Sequence, residues 1–125
     1  MDNKELYRMA VQAMPNAYAP FSDFKVGAAL LTEEGKVFTG VNVENSSYGG
    51  TICAERTAAV KAVSEGYRSF TKLAVASTGG DAYPCGICRQ FLYEFAPDLE
   101  IILGVDENHL RTCTLRELLP EGFKL

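Results

Sequence analysis

The chain has 125 residues, which suits one compact domain, and its hydrophobic fraction of 47% is too high for a disordered protein. Its net charge is −4 and its Lys and Arg residues form no run, which disfavours a nucleic-acid partner because a polyanion needs several basic contacts. No apolar stretch is long enough for a signal peptide or a membrane span. We therefore expect a single domain over residues 1–125, located in the cytosol, with no nucleic-acid or membrane partner.

The first half of the chain predicts a helix followed by a β-hairpin. Asn3 or Asp2 can cap a helix that runs to about Met14. Strands are predicted over 24–31 and 36–43, with a glycine-containing turn between them. A polar, glycine-rich loop separates this hairpin from the second half.

The second half alternates helices with strands. We predict, in chain order, a helix over 52–65, a strand over 72–77, a helix over 85–95 opened by Pro84, strands over 100–105 and 111–114, and a short helix over 115–119. This order implies an α/β fold with a mixed sheet and helices on its faces. Both internal helices follow a strand and a loop, so their N-termini can meet at one edge of the sheet, where α/β proteins usually bind ligands.

Three cysteines at predicted helix starts are the strongest chemical signal. Cys85 and Cys88 are three residues apart and share one helix face, so both thiols can reach one ion. Cys53 and Glu55 are two residues apart and converge only if Cys53 lies at the very start of its helix. Zinc accepts thiolates in tetrahedral geometry, and three protein ligands leave one position for water. Glu55 would then lie beside the open position without binding the metal.

Three thiolates around one Zn²⁺ leave a net negative charge, which weakens the ion as a Lewis acid. Two helix N-termini would offset part of that charge. Arg56, Arg89 and Gln90 are further candidates, because their N–H groups could donate to the sulfurs from outside the ligand shell.

Other interpretations of the cysteines stay open at this point. A lone Cys-x-x-Cys is also typical of redox pairs, structural zinc half-sites and core thiols. A non-catalytic zinc module would use Cys113 as a fourth thiolate; otherwise Cys113 is expected to be a small buried hydrophobe. His109 stands in a loop-like stretch and is expected at the surface rather than on a metal.

Taken together, these motifs resemble the small homotetrameric cytidine deaminases over nearly the whole chain. The resemblance implies a three-layer α/β/α fold with a mixed five-stranded sheet, and one Zn²⁺ per subunit on Cys53, Cys85 and Cys88. Glu55 would be the catalytic proton carrier. The segments that carry the resemblance are 17–22, 24–30, 42–45, 53–58, 84–90 and 118–120.

The activity that the resemblance implies is hydrolytic deamination of cytidine and 2′-deoxycytidine, a step of pyrimidine salvage. The products are uridine or 2′-deoxyuridine and ammonia. No Gly-rich phosphate loop is visible, and Glu44 would repel a phosphate, so a free nucleoside is expected rather than a nucleotide. A related deaminase acting on another aminopyrimidine, such as blasticidin S, is the main alternative within the class; it would lack the sugar-binding pair.

The resemblance also assigns substrate residues. Asn42 and Glu44 alternate with Val41 and Val43 at a strand end, so both polar groups share one face, although a solvated strand end has the same pattern. One departure from the family is the Tyr48-Gly49-Gly50 stretch, where a bulkier residue is common. The implied roles are ribose binding for Asn42 and Glu44, a base contact for Phe24, and substrate binding for Ala54. Tyr48 and Phe123 would reach into a neighbouring subunit's site.

Overall fold

The computed structural model describes residues 1–125 and contains four α-helices and five β-strands. The helices are α1 (Asn3–Ala13), α2 (Ala54–Ser64), α3 (Gly86–Tyr93) and α4 (Leu115–Leu118). The strands are β1 (Val26–Thr32), β2 (Val37–Val41), β3 (Phe70–Ser77), β4 (Glu100–Gly104) and β5 (Leu110–Thr114). Every predicted element is confirmed, with its ends within two residues of those expected. None of the helices combines the length and the apolar character that crossing a membrane requires.

The five strands form one mixed sheet in the order β2-β1-β3-β4-β5. β3 and β4 pair in parallel, whereas the other three pairs are antiparallel. The parallel pair is the one joined by a helix, since α3 makes the crossover from β3 to β4. The predicted mixed five-stranded sheet is therefore confirmed.

Helices cover both faces of the sheet. On one face α1 buries Leu6, Tyr7 and Ala10 against residues that include Ala29 and Ala74. On the other face α2, α3 and α4 form the larger part of the core with the alternate residues of the same strands. This alternation follows from the two-residue repeat of a strand, and it confirms the three-layer α/β/α architecture.

One detail at the helix starts differs from the sequence prediction. Cys53 and Cys85 are the N-cap residues of α2 and α3, and both have extended backbone (φ −73°, ψ 155° and φ −69°, ψ 170°). Pro84 therefore precedes the cap instead of forming the first helical turn. At the other end of α2, Gly66 adopts φ +98°, the left-handed conformation that commonly ends a helix.

Candidate active site

Three thiols converge where α2 and α3 begin. The Sγ atoms of Cys53, Cys85 and Cys88 all lie within 4.8 Å of one another, and those of Cys53 and Cys85 are 3.7 Å apart. Cys53 reaches this cluster because it precedes the first helical turn, as the spacing to Glu55 required. Cys88 lies one turn into α3 and is fully buried.

The thiol cluster fits a zinc ion. Zn–S bonds of about 2.3 Å in tetrahedral geometry place two ligand sulfurs about 3.8 Å apart. The 3.7 Å separation of the Cys53 and Cys85 sulfurs matches that value. No other His, Cys, Asp or Glu side chain joins the group, so a tetrahedral zinc ion held by these three thiols would have one position left for water. Cys113 lies on β5, packed against the core, and does not supply the fourth thiolate of a structural zinc module.

Arg56 brings a positive charge to the sulfurs. Its Nη2 lies 3.6 Å from Cys53 Sγ and also donates to the Thr51 carbonyl, while its buried Nε has no hydrogen-bond partner. A hydrogen bond from Cys88, helped by the Arg56 guanidinium, outweighs burial and lowers the pKa of the Cys53 thiol, while the same bond raises the pKa of Cys88. Cys53 is thereby prepared to bind a metal as a thiolate.

The other two predicted donors point elsewhere. Arg89 donates from Nε to the Pro84 carbonyl at 2.7 Å and from Nη1 to the Leu118 carbonyl at 2.9 Å. The Gln90 amide donates to the Phe123 carbonyl at 2.9 Å. Both side chains thus hold the chain around α3 in place, and among the three candidates only Arg56 contacts a sulfur.

Glu55 is a buried carboxyl group beside the cluster. Glu55 is only 4% exposed, yet it lines the same cleft as Cys53 and Cys85. Burial raises the pKa of this carboxyl to about 7, because the charged form loses its hydration. A carboxyl group that can carry a proton near neutral pH is suited to general acid–base chemistry.

A cleft of about 400 Å³ extends from the thiols, within the range of small-molecule sites. The structure brings all four predicted substrate residues into its lining: Phe24, Asn42, Glu44 and Ala54. Phe24 is 40% exposed, so it is not the core residue that a strand Phe usually is. Ser22, Thr51 and Tyr83 also line the cleft, and sequence reasoning had not singled them out.

The two predicted sugar ligands lie just after β2, and their side chains bind the segment that leads into β1 and the first residue of that strand. Asn42 accepts from the Val26 N–H at 2.9 Å and donates to the Phe24 carbonyl at 2.8 Å. Glu44 accepts from the N–H groups of Phe21 (2.9 Å) and Ser22 (3.2 Å), and from the Ser22 hydroxyl. The Ser22 hydroxyl is the largest cause that lowers the pKa of Glu44, so this carboxylate is an anion at neutral pH.

The two predicted intersubunit residues are strongly exposed. Tyr48 is 76% exposed, its ring lies 5.7 Å from that of Phe21, and it borders a hollow next to Glu44. Phe123 is 63% exposed and is attached to α3 by the bond from Gln90 to its carbonyl. Within one chain, neither residue lines the cleft beside the thiols.

The comparisons with known proteins agree on one family. A family model described as the cytidine and deoxycytidylate deaminase zinc-binding region matches residues 1–104, which include the three clustered cysteines and Glu55. A curated cytidine deaminase from Halalkalibacterium halodurans is 48% identical over 125 residues, covering 98% of this chain and 95% of that protein.

Solved structures give the same result. The crystal structure of cytidine deaminase from Burkholderia pseudomallei is 47% identical with a TM-score of 0.92, covering 98% of this chain and 100% of that one. The cytidine deaminase from Mycobacterium tuberculosis is 42% identical with a TM-score of 0.89, covering 100% of this chain and 99% of that one. The similarity therefore includes both the fold and the segments that carry the site.

Proposed function

This chain belongs to the cytidine and deoxycytidylate deaminase family, and we propose that it deaminates free cytidine and 2′-deoxycytidine. Each turnover consumes one water and gives uridine or 2′-deoxyuridine and ammonia. The observation that carries the proposal is the buried Glu55 carboxyl group, which shares one cleft with the thiol cluster. A carboxyl group in that position can accept a proton from water and donate one to a substrate bound in the cleft.

The chemistry divides between the metal site and Glu55. A zinc ion held by Cys53, Cys85 and Cys88 supplies the Lewis acidity that makes water a nucleophile near neutral pH. Glu55 accepts the proton of the water that attacks C4 of the pyrimidine, and then delivers protons to N3 and to the departing amine. Arg56, at 3.6 Å from Cys53 Sγ, offsets part of the thiolate charge.

Four cleft residues bind the nucleoside in this proposal. Asn42 and Glu44 hold the ribose, and Phe24 and Ala54 contact the base. The Glu44 carboxylate accepts sugar hydroxyl groups and repels phosphate, which favours nucleosides over nucleotides. Support comes from the shared lining of the cleft and from the lowered pKa of Glu44.

The working unit in this proposal is a homotetramer of single-domain chains, each spanning residues 1–125, that acts in cytoplasmic pyrimidine salvage. Exposed apolar side chains, among them Tyr48, Ile87 and Phe123, support self-association because a second copy would cover them. Tyr48 and Phe123 would reach a neighbour's cleft. Three free thiols that must stay reduced to bind metal favour a reducing compartment.

A substrate panel tests the activity. The purified chain is incubated with cytidine, 2′-deoxycytidine, their 5′-phosphates and blasticidin S, with and without a chelator, while absorbance loss and ammonia are measured. We expect turnover of the two free nucleosides, much slower turnover of the phosphates, and loss of activity with the chelator. Turnover of blasticidin S without turnover of either free nucleoside would contradict the proposal.

The zinc-to-sulfur count tests the metal site independently. X-ray absorption of the zinc-loaded protein should report three sulfur neighbours and one lighter atom. Four sulfurs would indicate a closed structural site and would overturn the enzymatic interpretation.

A further inference from the structure

Ser22 occupies a junction between two of the proposed substrate residues. Its hydroxyl donates to Glu44 Oε2 and accepts the Phe24 N–H at 3.1 Å. It lies in the exposed segment before β1 and lines both the cleft and the adjoining hollow. No other side chain is hydrogen-bonded to Glu44, so Ser22 is the side chain that orients this carboxylate.

The hydrogen-bond capacity of Glu44 explains why this orientation matters. A carboxylate has about four acceptor positions, two on each oxygen. Oε1 already accepts the N–H groups of Phe21 and Ser22, at 2.9 and 3.2 Å. Oε2 accepts the Ser22 hydroxyl, which leaves one acceptor position on that oxygen. A sugar hydroxyl can use only that position, and its direction depends on Ser22.

The same hydroxyl also helps to hold Phe24. Asp23, between Ser22 and Phe24, has φ +57°, a left-handed conformation that is uncommon for non-glycine residues but that Asp adopts more readily than most. The Phe24 N–H binds Ser22 Oγ, and the Phe24 carbonyl accepts from Asn42 Nδ2 at 2.8 Å. Since the Asn42 bond does not involve Ser22, Phe24 keeps one anchor when the hydroxyl is removed.

We infer that Ser22 is a positioning residue for substrate binding: its hydroxyl aims the remaining acceptor of Glu44 at the hydroxyl groups of the nucleoside sugar. This inference rests on the proposed function, because it assumes that the cleft binds a nucleoside. Ser22 does not touch the reacting atoms, so its effect belongs to the binding of the sugar and not to proton transfer.

The test compares Ser22→Ala with the wild-type chain on cytidine and on 2′,3′-dideoxycytidine, which lacks both ring hydroxyl groups. A hydrogen bond to a charged group is lost in the variant, so the KM for cytidine should rise roughly 5- to 20-fold, with kcat unchanged to within about twofold. The dideoxy substrate lacks the ring hydroxyl groups that Glu44 is proposed to bind, so its KM should be the same for both chains to within about twofold.

Further variants separate positioning from general destabilisation. Ser22→Thr keeps the hydroxyl and should restore the KM for cytidine. Ser64→Ala removes an exposed hydroxyl at the end of α2 and should change neither substrate's KM. In a Glu44→Gln background, adding Ser22→Ala should raise the KM for cytidine no further, because the two residues act through one contact.

The outcomes are distinguishable. If the wild-type chain does not deaminate cytidine, the proposed function fails, and the inference fails with it. If the wild-type chain is active and Ser22→Ala changes the KM of both substrates equally, or of neither, only the inference is overturned. An independent effect of Ser22→Ala in the Glu44→Gln background would also overturn it.

Discussion

Two carboxyl groups line the same cleft and are perturbed in opposite directions. Burial raises the pKa of Glu55 to about 7, whereas the Ser22 hydroxyl and two backbone N–H groups lower that of Glu44. Two carboxyl groups whose surroundings shift their pKa values apart can take different roles in one site. Glu55 is suited to exchanging protons, and Glu44 is suited to remaining an anion that accepts hydrogen bonds.

Replacing Glu55 tests the proton carrier. In Glu55→Gln the side chain keeps its size and cannot exchange a proton, so we expect kcat to fall by about 10²- to 10⁴-fold. Zinc content should stay near one ion per chain, because the carboxyl group is not a ligand. Steady-state kinetics and metal analysis of the same sample check both points. Near-normal turnover, or loss of the metal, would contradict the assignment.

Replacing Arg56 tests the charge balance at the thiolates. Arg56→Ala removes the only cation that contacts a sulfur, so we expect activity to fall roughly 10- to 100-fold while some zinc remains bound. Arg8→Ala, an equal change of charge on α1 at the other face of the sheet, is the matched control. Unchanged kinetics of Arg56→Ala would reject the proposed offset of charge.

At the scale of elements, α2 and α3 are held in position by different kinds of contact. α2 lies directly on the sheet at Gly40, where a Cβ atom would overlap the backbone of Ala54 and Ala58. α3 is held by Arg89, which donates one hydrogen bond to the carbonyl of Pro84, the residue before the N-cap of α3. It donates another to the carbonyl of Leu118, the last residue of α4. The relative position of the two helices sets the distances between the sulfurs.

A methyl group at Gly40 is expected to push the first turn of α2 off the sheet. Gly40→Ala should therefore cost about 1–3 kcal/mol of stability and weaken zinc retention, because Cys53 and Glu55 move with that turn. Gly49→Ala is the control, since a Cβ there meets nothing within 4 Å. Thermal melts and zinc exchange against a chelator measure the two effects. Equal behaviour of the two variants would show that the close approach at Gly40 does not hold the site.

At the scale of the whole molecule, one chain buries both faces of its sheet but leaves several large apolar side chains exposed. Tyr48, Tyr83 and Ile87 lie on segments that carry or border the site. Exposed apolar side chains that form one patch usually mark an interaction surface. A second copy of the chain is the occupant that the proposed homotetramer supplies.

Sedimentation equilibrium tests this assembly. A tetramer of the 13.6 kDa chain should give a measured mass of about 54 kDa. An active monomer of 13.6 kDa would contradict the tetramer.

Mixed assemblies test whether Tyr48 serves a neighbour's site. Tyr48→Ala and Glu55→Gln should each be impaired alone, and their mixture should regain part of the activity after dissociation and reassembly. The recovered sites would combine Glu55 of one chain with Tyr48 of another. Absence of any recovery, with reassembly verified by sedimentation, would argue against sharing of the site.

The helices, the strands and the chemistry of the cysteines were predictable from the sequence, because they depend on local rules. Apolar periodicity and turn residues placed every element, and the three-residue spacing of Cys85 and Cys88 placed two thiols on one helix face. The two-residue spacing of Cys53 and Glu55 already required a helix start between them. Family resemblance added the substrate residues, which spacing alone left ambiguous.

Contacts between distant segments were decided only by the tertiary structure. The Arg89 and Gln90 side chains bind backbone carbonyls instead of sulfurs, and Ser22 binds Glu44, which lies 22 residues further along the chain. The direction of such side chains depends on which segments the packed sheet and helices bring together. No local pattern encodes that geometry, so a sequence predicts the donors and acceptors of a site more readily than their partners.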